Sequence, residues 1–272
     1  MDSIYISTNI MGGIGNQLFQ ISHALSQGWK NDVPVILPKA LNISRPIWEN
    51  KLYINNIYKK ISHLFVDDII KGYEVKEENW NKFILNKPIK FVGYFQSSKY
   101  FLGYDDKIRN TFYPSEEFIF EMFQKYSQLR DGNTLSLHVR RTDYLNINTH
   151  LPTIDKSYFD EAIKQNEEYS TLFIFTDDKK WVKDNFKYNN MIIINEDETY
   201  KELWLMSLCN NNIISNSSFS WWGSWLNKNK NKKIYAPSIW LGPKTGDLYE
   251  KIYEPNWTKI KMLYKDGKLY KA

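Results

Sequence analysis

Leu135-Ser-Leu-His-Val-Arg-Arg-Thr-Asp143 is the stretch on which the reading of this chain turns. Leu135 to Val139 reads as a buried strand, and it runs straight into Arg140, Arg141 and Asp143. Taking two adjacent guanidiniums out of water is costly unless anions pair with them. Guanidinium forks match phosphate oxygens in bidentate fashion, so a phosphate-bearing ligand is the expected partner. In open α/β sheets ligands bind just outside the carboxyl ends of the strands, where these charges would lie. The competing reading is internal, an ion pair of Arg141 with Asp143 that caps the strand. On a strand, His138 and Arg140 share one face while Val139 points the other way. One strand end therefore offers an imidazole and a guanidinium together.

The pattern around this stretch is alternating. Leu172–Thr176, Met191–Asn195, Ile213–Ser215 and Lys233–Ala236 read as further strands. Helices are predicted between them, from Asp155 or Ser157 to about Tyr169, over Lys180–Phe186, over Tyr200–Cys209 and from Ser218 to Leu226. Apolar runs alternating with helices predict a parallel sheet buried on both faces. Upstream, Ile4–Ser7, a Gly-rich turn into a helix ending near Lys30, and Val33–Leu37 form a βαβ pattern. Phe91–Gln96 reads as a strand. Ser115 caps a predicted helix running to about Arg130, with Glu116 and Glu117 in its first turn. Asp131-Gly132-Asn133 is a break. The expectation is two α/β domains, 1–131 and 132–272.

The 272 residues carry a net charge of +5, which favours anionic ligands, but the basic residues are scattered and do not form a nucleic-acid patch. Aromatic residues make up 16% of the chain, enough to fill a core and to stack on sugars as well. The one cysteine, Cys209, excludes an intrachain disulfide and reads as a small buried hydrophobe. No signal peptide is apparent, and no apolar run reaches the length of about 18 residues that a membrane span needs. A cytoplasmic protein is expected, with any membrane association peripheral.

Two further segments carry polar groups at helix starts. Gly12-Gly-Ile-Gly-Asn-Gln17 would let backbone approach a ligand at a helix N-terminus, through Gly13 and Gly15. It lacks the Lys-Ser/Thr pair of a Walker loop and the third glycine of a dinucleotide fingerprint. Asn212 to Leu226 places a serine-rich turn before an aromatic helix, a second anion cradle that doubles as a helix cap. Asp177-Asp178 closes a strand beside them. With no third ligand at metal spacing, no metal site is assigned, and a carboxylate there suits the N1–H and exocyclic amine of guanine.

Taken together, Gly13-Ile-Gly-Asn-Gln-Leu-Phe-Gln20, His138-Val-Arg-Arg-Thr-Asp-Tyr144, Phe173-Ile-Phe-Thr-Asp-Asp178 and Ser217-Ser-Phe-Ser-Trp-Trp-Gly-Ser-Trp225 resemble the α-1,2-fucosyltransferases of glycosyltransferase family eleven. The tail Pro255–Ile260 is similar too, so the likeness spans nearly the whole chain. The resemblance implies two Rossmann-like domains facing a cleft, the GT-B arrangement. The N-terminal domain would be the acceptor side and the C-terminal domain the donor-nucleotide side, with the tail packing back on the N-terminal domain.

It also implies GDP-L-fucose as donor substrate, a glycan acceptor, no required cofactor and inversion from β to α at the 2-hydroxyl of a sugar such as galactose. By that resemblance Arg140 meets the β-phosphate, and His138 and one of Asp177 and Asp178 lie near the nucleoside. Ser217, Ser218, Phe219 and Ser220 line the diphosphate, with Arg141 as a further donor contact. Asn16 and Gln17 face the cleft. Some related fucosyltransferases carry a glutamate shortly after the two arginines. Here Tyr144-Leu-Asn-Ile-Asn148 has no acid, which leaves Asp143 as the nearest carboxylate, against the alternatives that Asp143 only orients Arg141 and that the base is water or a group from elsewhere. The competing functions are a non-catalytic carbohydrate-binding protein and a transferase of another GDP-sugar such as GDP-mannose.

Overall fold

A computed structural model describes residues 4–39, 47–67, 70–166, 168–245 and 250–272, with the side chains of 47–50 and 131 left aside. The chain forms two compact units, Met1–Tyr113 and Pro114–Ala272. The division falls before the residue 131 expected from sequence. The helix Glu116–Lys125, capped by Ser115, belongs to the second unit because Phe118 packs edge-on against Trp204, with ring centroids 4.9 Å apart. The helix is also shorter than expected. It ends at Lys125, and Ser127–Asp131 tightens into a 3-10 turn.

In the first unit, Ile6–Thr8, Ile89–Val92 and Tyr73–Lys76 form a parallel sheet with Ile89–Val92 in the middle. The helix Ile14–Asn31 buries Leu18, Phe19, Ile21, Ala24 and Leu25. Of the expected strand Val33–Leu37, only a bridge at Val35 and the pair Leu37–Pro38 form. The expected strand Phe91–Gln96 instead occupies Ile89–Val92. Beyond it the Glu77 carboxylate accepts the N–H groups of Tyr94 and Phe95 at 2.9 and 3.0 Å, and Phe95 takes a left-handed φ of 51°. Those side-chain bonds replace the ladder.

The second unit is built on six parallel strands in the spatial order Thr258–Ile260, Ile234–Pro237, Asn211–Ile213, Thr134–Val139, Thr171–Thr176, Met191–Ile193. Every residue of Thr134–Val139 and Thr171–Thr176 is buried, as continuous apolar runs require of a sheet covered on both faces. From Thr134–Val139 the chain first winds outward through Thr171–Thr176 to Met191–Ile193. It then returns to the other side of Thr134–Val139 and winds outward again. The order thus reverses between Thr134–Val139 and Asn211–Ile213, which makes the carboxyl ends of those two strands a topological switch point. The tail is built into this same unit. Thr258–Ile260 extends the sheet, and the hairpin Met262–Lys265 with Lys268–Lys271 pairs onto Thr153–Ile154.

Candidate active site

His138, the penultimate residue of the central strand, reaches across the switch point. Its Nδ1 lies 2.8 Å from the Ser215 hydroxyl, and its ring is tilted against Phe219 at 5.3 Å. Burial lowers its pKa to about 3, and the charge of Arg140 acts in the same direction. The imidazole is therefore neutral at ordinary pH, and it supplies shape and hydrogen bonding without charge.

Arg140 follows the end of the strand. Strand register pairs Val139 with Thr176, so the chains leave the sheet side by side and Asp177 comes to Arg140. Arg140 Nη1 is 3.3 Å from Asp177 Oδ2, and Nη2 is 2.7 Å from Asp143 Oδ2. Burial pulls the guanidinium pKa down, but the hydrogen bond to Asp143 and the charges of Asp177 and Asp143 raise it above its ordinary value. The Arg140 side chain keeps 28% of its surface exposed. Its guanidinium lies 5.7 Å from the ring of Tyr144, whose hydroxyl donates to the Asn216 carbonyl at 3.0 Å.

The expected pair of Arg141 with Asp143 does not form. Residues 142–146 make a hydrogen-bonded turn, which returns Asp143 over Arg140, three residues back. Arg141 turns the other way. Its Nε donates to Asp178 Oδ2 at 3.2 Å, its guanidinium lies 4.1 Å from the centroid of Trp181, and only 12% of its side chain is exposed.

Both carboxylates of the Asp177-Asp178 pair are engaged in holding this loop. Asp177 accepts from the Arg141 N–H at 2.9 Å and from the Thr142 N–H and hydroxyl at 3.2 and 2.6 Å, besides Arg140. Asp178 caps the helix Lys179–Asn185 through the Trp181 N–H at 3.0 Å. A carboxylate offers about four acceptor sites. Asp177 therefore has little left for a guanine edge, and its visible work is to fix the arginine loop.

On the facing strand, Asn211–Ile213 leads to the serine turn and the helix Ser218–Leu226. Ser217 caps that helix, accepting from the Phe219 N–H at 3.3 Å. Ser218 and Phe219 are half-buried at its start. Ser220 is fully buried and donates back to the Ser215 and Ser217 carbonyls, so its hydroxyl is turned into the protein and not toward a ligand. The buried Trp221, Trp222 and Trp225 seat this helix in the core.

In the first unit, Gly13 is the N-cap of the helix Ile14–Asn31 and makes no side-chain cap bond. Gly12 has a φ of +77°, and a Cβ there would meet Asn16 Nδ2 at 2.6 Å, so glycine is required. Asn16 is half-buried and accepts from Gln96 Nε2 at 2.7 Å, while Gly15 is buried. Gln17, which the resemblance implies should face the cleft, is wholly buried within its own unit. It donates to the Gly12 carbonyl and accepts from the Tyr58 hydroxyl, both at 3.0 Å.

Residues 4–261 match the sequence profile of Glycosyl transferase family 11. The chain belongs to that family. Among its relatives, an α-1,2-colitosyltransferase of Escherichia coli is 26% identical, covering 94% of this chain and 98% of the relative. A galactoside 2-α-L-fucosyltransferase of Caenorhabditis elegans is 30% identical over 92% of this chain and 77% of the relative. Among solved structures, the fucosyltransferase NodZ from Bradyrhizobium superposes with a TM-score of 0.54 at 11% identity, covering 82% of this chain and 93% of NodZ. POFUT1 in complex with GDP gives 0.55 at 13% identity, with coverages of 87% and 99%. At these identities the likeness is one of fold, and the fold is GT-B-like.

In this family 11 glycosyltransferase the switch-point groups that sequence reading passed over are Thr142, Trp181 and Ser215. Each acts through a neighbour that the motifs did name. Among the described residues, no group of three or more His, Cys, Asp and Glu side chains is arranged to hold a metal ion, and no helix is long and apolar enough to cross a membrane.

Proposed function

We infer that this family 11 transferase moves L-fucose from GDP-L-fucose to the 2-hydroxyl of a terminal galactose, inverting the anomeric centre from β to α. The observation that carries the reading is Arg140, a partly exposed guanidinium at the carboxyl end of the central strand, at the switch point of the sheet. Breaking the fucosyl–phosphate bond builds negative charge on the departing diphosphate. A fixed cation stabilises that charge as it develops and takes the part a metal ion plays elsewhere. The N-terminus of the helix Ser218–Leu226, with Ser217, Ser218 and Phe219, adds backbone donors on the facing strand. His138 shapes the floor between them, and Arg141, Asp177 and Asp178 hold the loop. Gly13, Gly15 and Asn16 belong to the first unit, which takes the acceptor side. The relatives that transfer colitose in an α-1,2 linkage and fucose to the 2-position of galactosides support the linkage and a fucose-like sugar.

The test is transfer from GDP-L-fucose to a β-galactoside in EDTA, with linkage read by NMR. Absence of both product and GDP release over a broad acceptor panel overturns the reading. The colitosyltransferase relative favours one second reading, transfer of colitose in place of fucose. Faster turnover of a colitosyl donor than of GDP-fucose would select it.

A further inference from the structure

We propose that Asp143 is a built-in stand-in for the donor phosphate, held on Arg140 until the nucleotide sugar displaces it, and that the freed carboxylate then takes the proton of the acceptor hydroxyl. The inference rests on the donor reading above. Arg140 is held by two carboxylates of different character. Asp177 also carries the Arg141 and Thr142 N–H groups and the Thr142 hydroxyl, and its side chain is 19% exposed. Asp143 is 52% exposed and touches Arg140 at 2.7 Å with a single oxygen. A diphosphate arriving at Arg140 brings two or more negative charges beside both acids. Like charges a few ångströms apart repel strongly when partly desolvated, so one carboxylate must give way. Asp177 cannot leave without dismantling the loop. Asp143 can leave by rotating its short side chain, because its backbone stays in the turn through the bond from the Asn146 N–H to its carbonyl.

The displaced carboxylate remains beside the bond that breaks. In the transfer the acceptor oxygen bonds to the anomeric carbon, and the bond from that carbon to the β-phosphate oxygen breaks with its electron pair going to GDP. The hydroxyl proton passes to Asp143 and then to water. This orders the reaction, because the base becomes available only after the donor has bound. It also supplies the acid missing from Tyr144–Asn148.

The signs of the two effects are opposite, and that makes the proposal testable. GDP affinity by calorimetry and kcat at saturating donor and acceptor are measured for the wild type, Asp143→Asn and Asp143→Ala, with melting temperatures to confirm folding. Both variants should bind GDP about fivefold more tightly, the equivalent of a half-exposed ion pair worth about 1 kcal/mol. Their kcat should fall by about 100-fold or more, as for loss of a general base. Weaker or unchanged GDP binding would mean that Asp143 merely orients Arg140, and it overturns the stand-in role. An unchanged kcat overturns the base role. A wild type that binds no GDP at all refutes the donor reading itself, whatever the variants do.

Discussion

Acidification sets two groups of the second unit against each other. His138 titrates near 3 in the folded chain, chiefly through burial and then through Arg140. In an unfolded chain a histidine titrates at about 6.5. Below that pH the unfolded state takes up a proton that the native state refuses, so stability falls as the pH drops. By pH 5 the interval is about 1.5 pH units, worth about 2 kcal/mol. Glu202 acts in the opposite sense. Burial raises its carboxyl to about 7, Lys179 partly opposes the rise, and Glu196 adds to it. The native state then binds a proton before the unfolded state does, and stability rises as the pH falls from 7 toward the ordinary glutamate value. By pH 5 this contributes about 2.5 kcal/mol.

The two contributions nearly cancel, so the second unit should hold its stability between pH 7 and 5. Replacing Glu202 with Gln removes one side of the balance. Urea unfolding of the variant, followed by tryptophan fluorescence, should then show a loss of about 2 kcal/mol between pH 7 and 5. If the variant is as flat as the wild type over that range, His138 is not a buried neutral imidazole in the folded chain.

The first unit has its own buried imidazole. Burial lowers the His23 pKa to about 4, against its hydrogen bond to the Tyr100 carbonyl and the charge of Glu77. Its stability should therefore drop by about 2 kcal/mol from pH 6.5 to 5, seen as faster hydrogen exchange in Ile14–Asn31 once the intrinsic rate is corrected, and His23→Gln should abolish the drop. Arg140→Ala should lower kcat by about 10²–10³, the scale of one charge-stabilising donor, with an unchanged circular dichroism spectrum; near-normal initial rates would remove Arg140 from the chemistry. Gly223→Ala should cost about 1–3 kcal/mol by overpacking, because the added Cβ would lie 2.5 Å from Met206 Sδ and 3.0 Å from Met206 Cβ. A thermal melt within a degree of the wild type would show that Met206 gives way freely.

What the sequence made legible is local. The strand through Leu135–Val139 and the helix Ser218–Leu226 stand where composition and capping place them, because both depend on neighbouring residues. The ion pairs were not legible, because they depend on which strands lie side by side. Register between Val139 and Thr176 brings Asp177 to Arg140, and nothing in the run His138–Asp143 announces it. The division falls after Tyr113 and not at the expected residue 131 for a similar reason. The helix Glu116–Lys125 is assigned by Phe118 meeting Trp204, far along the chain. Gln17 reads as a polar residue in a glycine-rich turn, and only the distant Tyr58 shows that its amide is consumed inside the unit.

Two guanidiniums at the end of a buried strand pose a desolvation problem, and a bound phosphate is one solution to it. The structure offers another, since Asp143, Asp177 and Asp178 give the pair more negative charge than it needs. Burial alone therefore does not call for a ligand. What calls for one is the unequal treatment of the two arginines. Arg141 has Trp181 on its face, Asp178 on its Nε and little exposure, so its charge is spent on holding the loop. Arg140 stays partly open at the one place in the sheet where strand order reverses, paired there with an acid that only it retains. A cation kept for structure alone would gain from closure like that of Arg141. Leaving Arg140 partly exposed, with the half-exposed carboxylate of Asp143 on it, forgoes that gain, and exchange of Asp143 for an anion, as proposed above, would account for the difference.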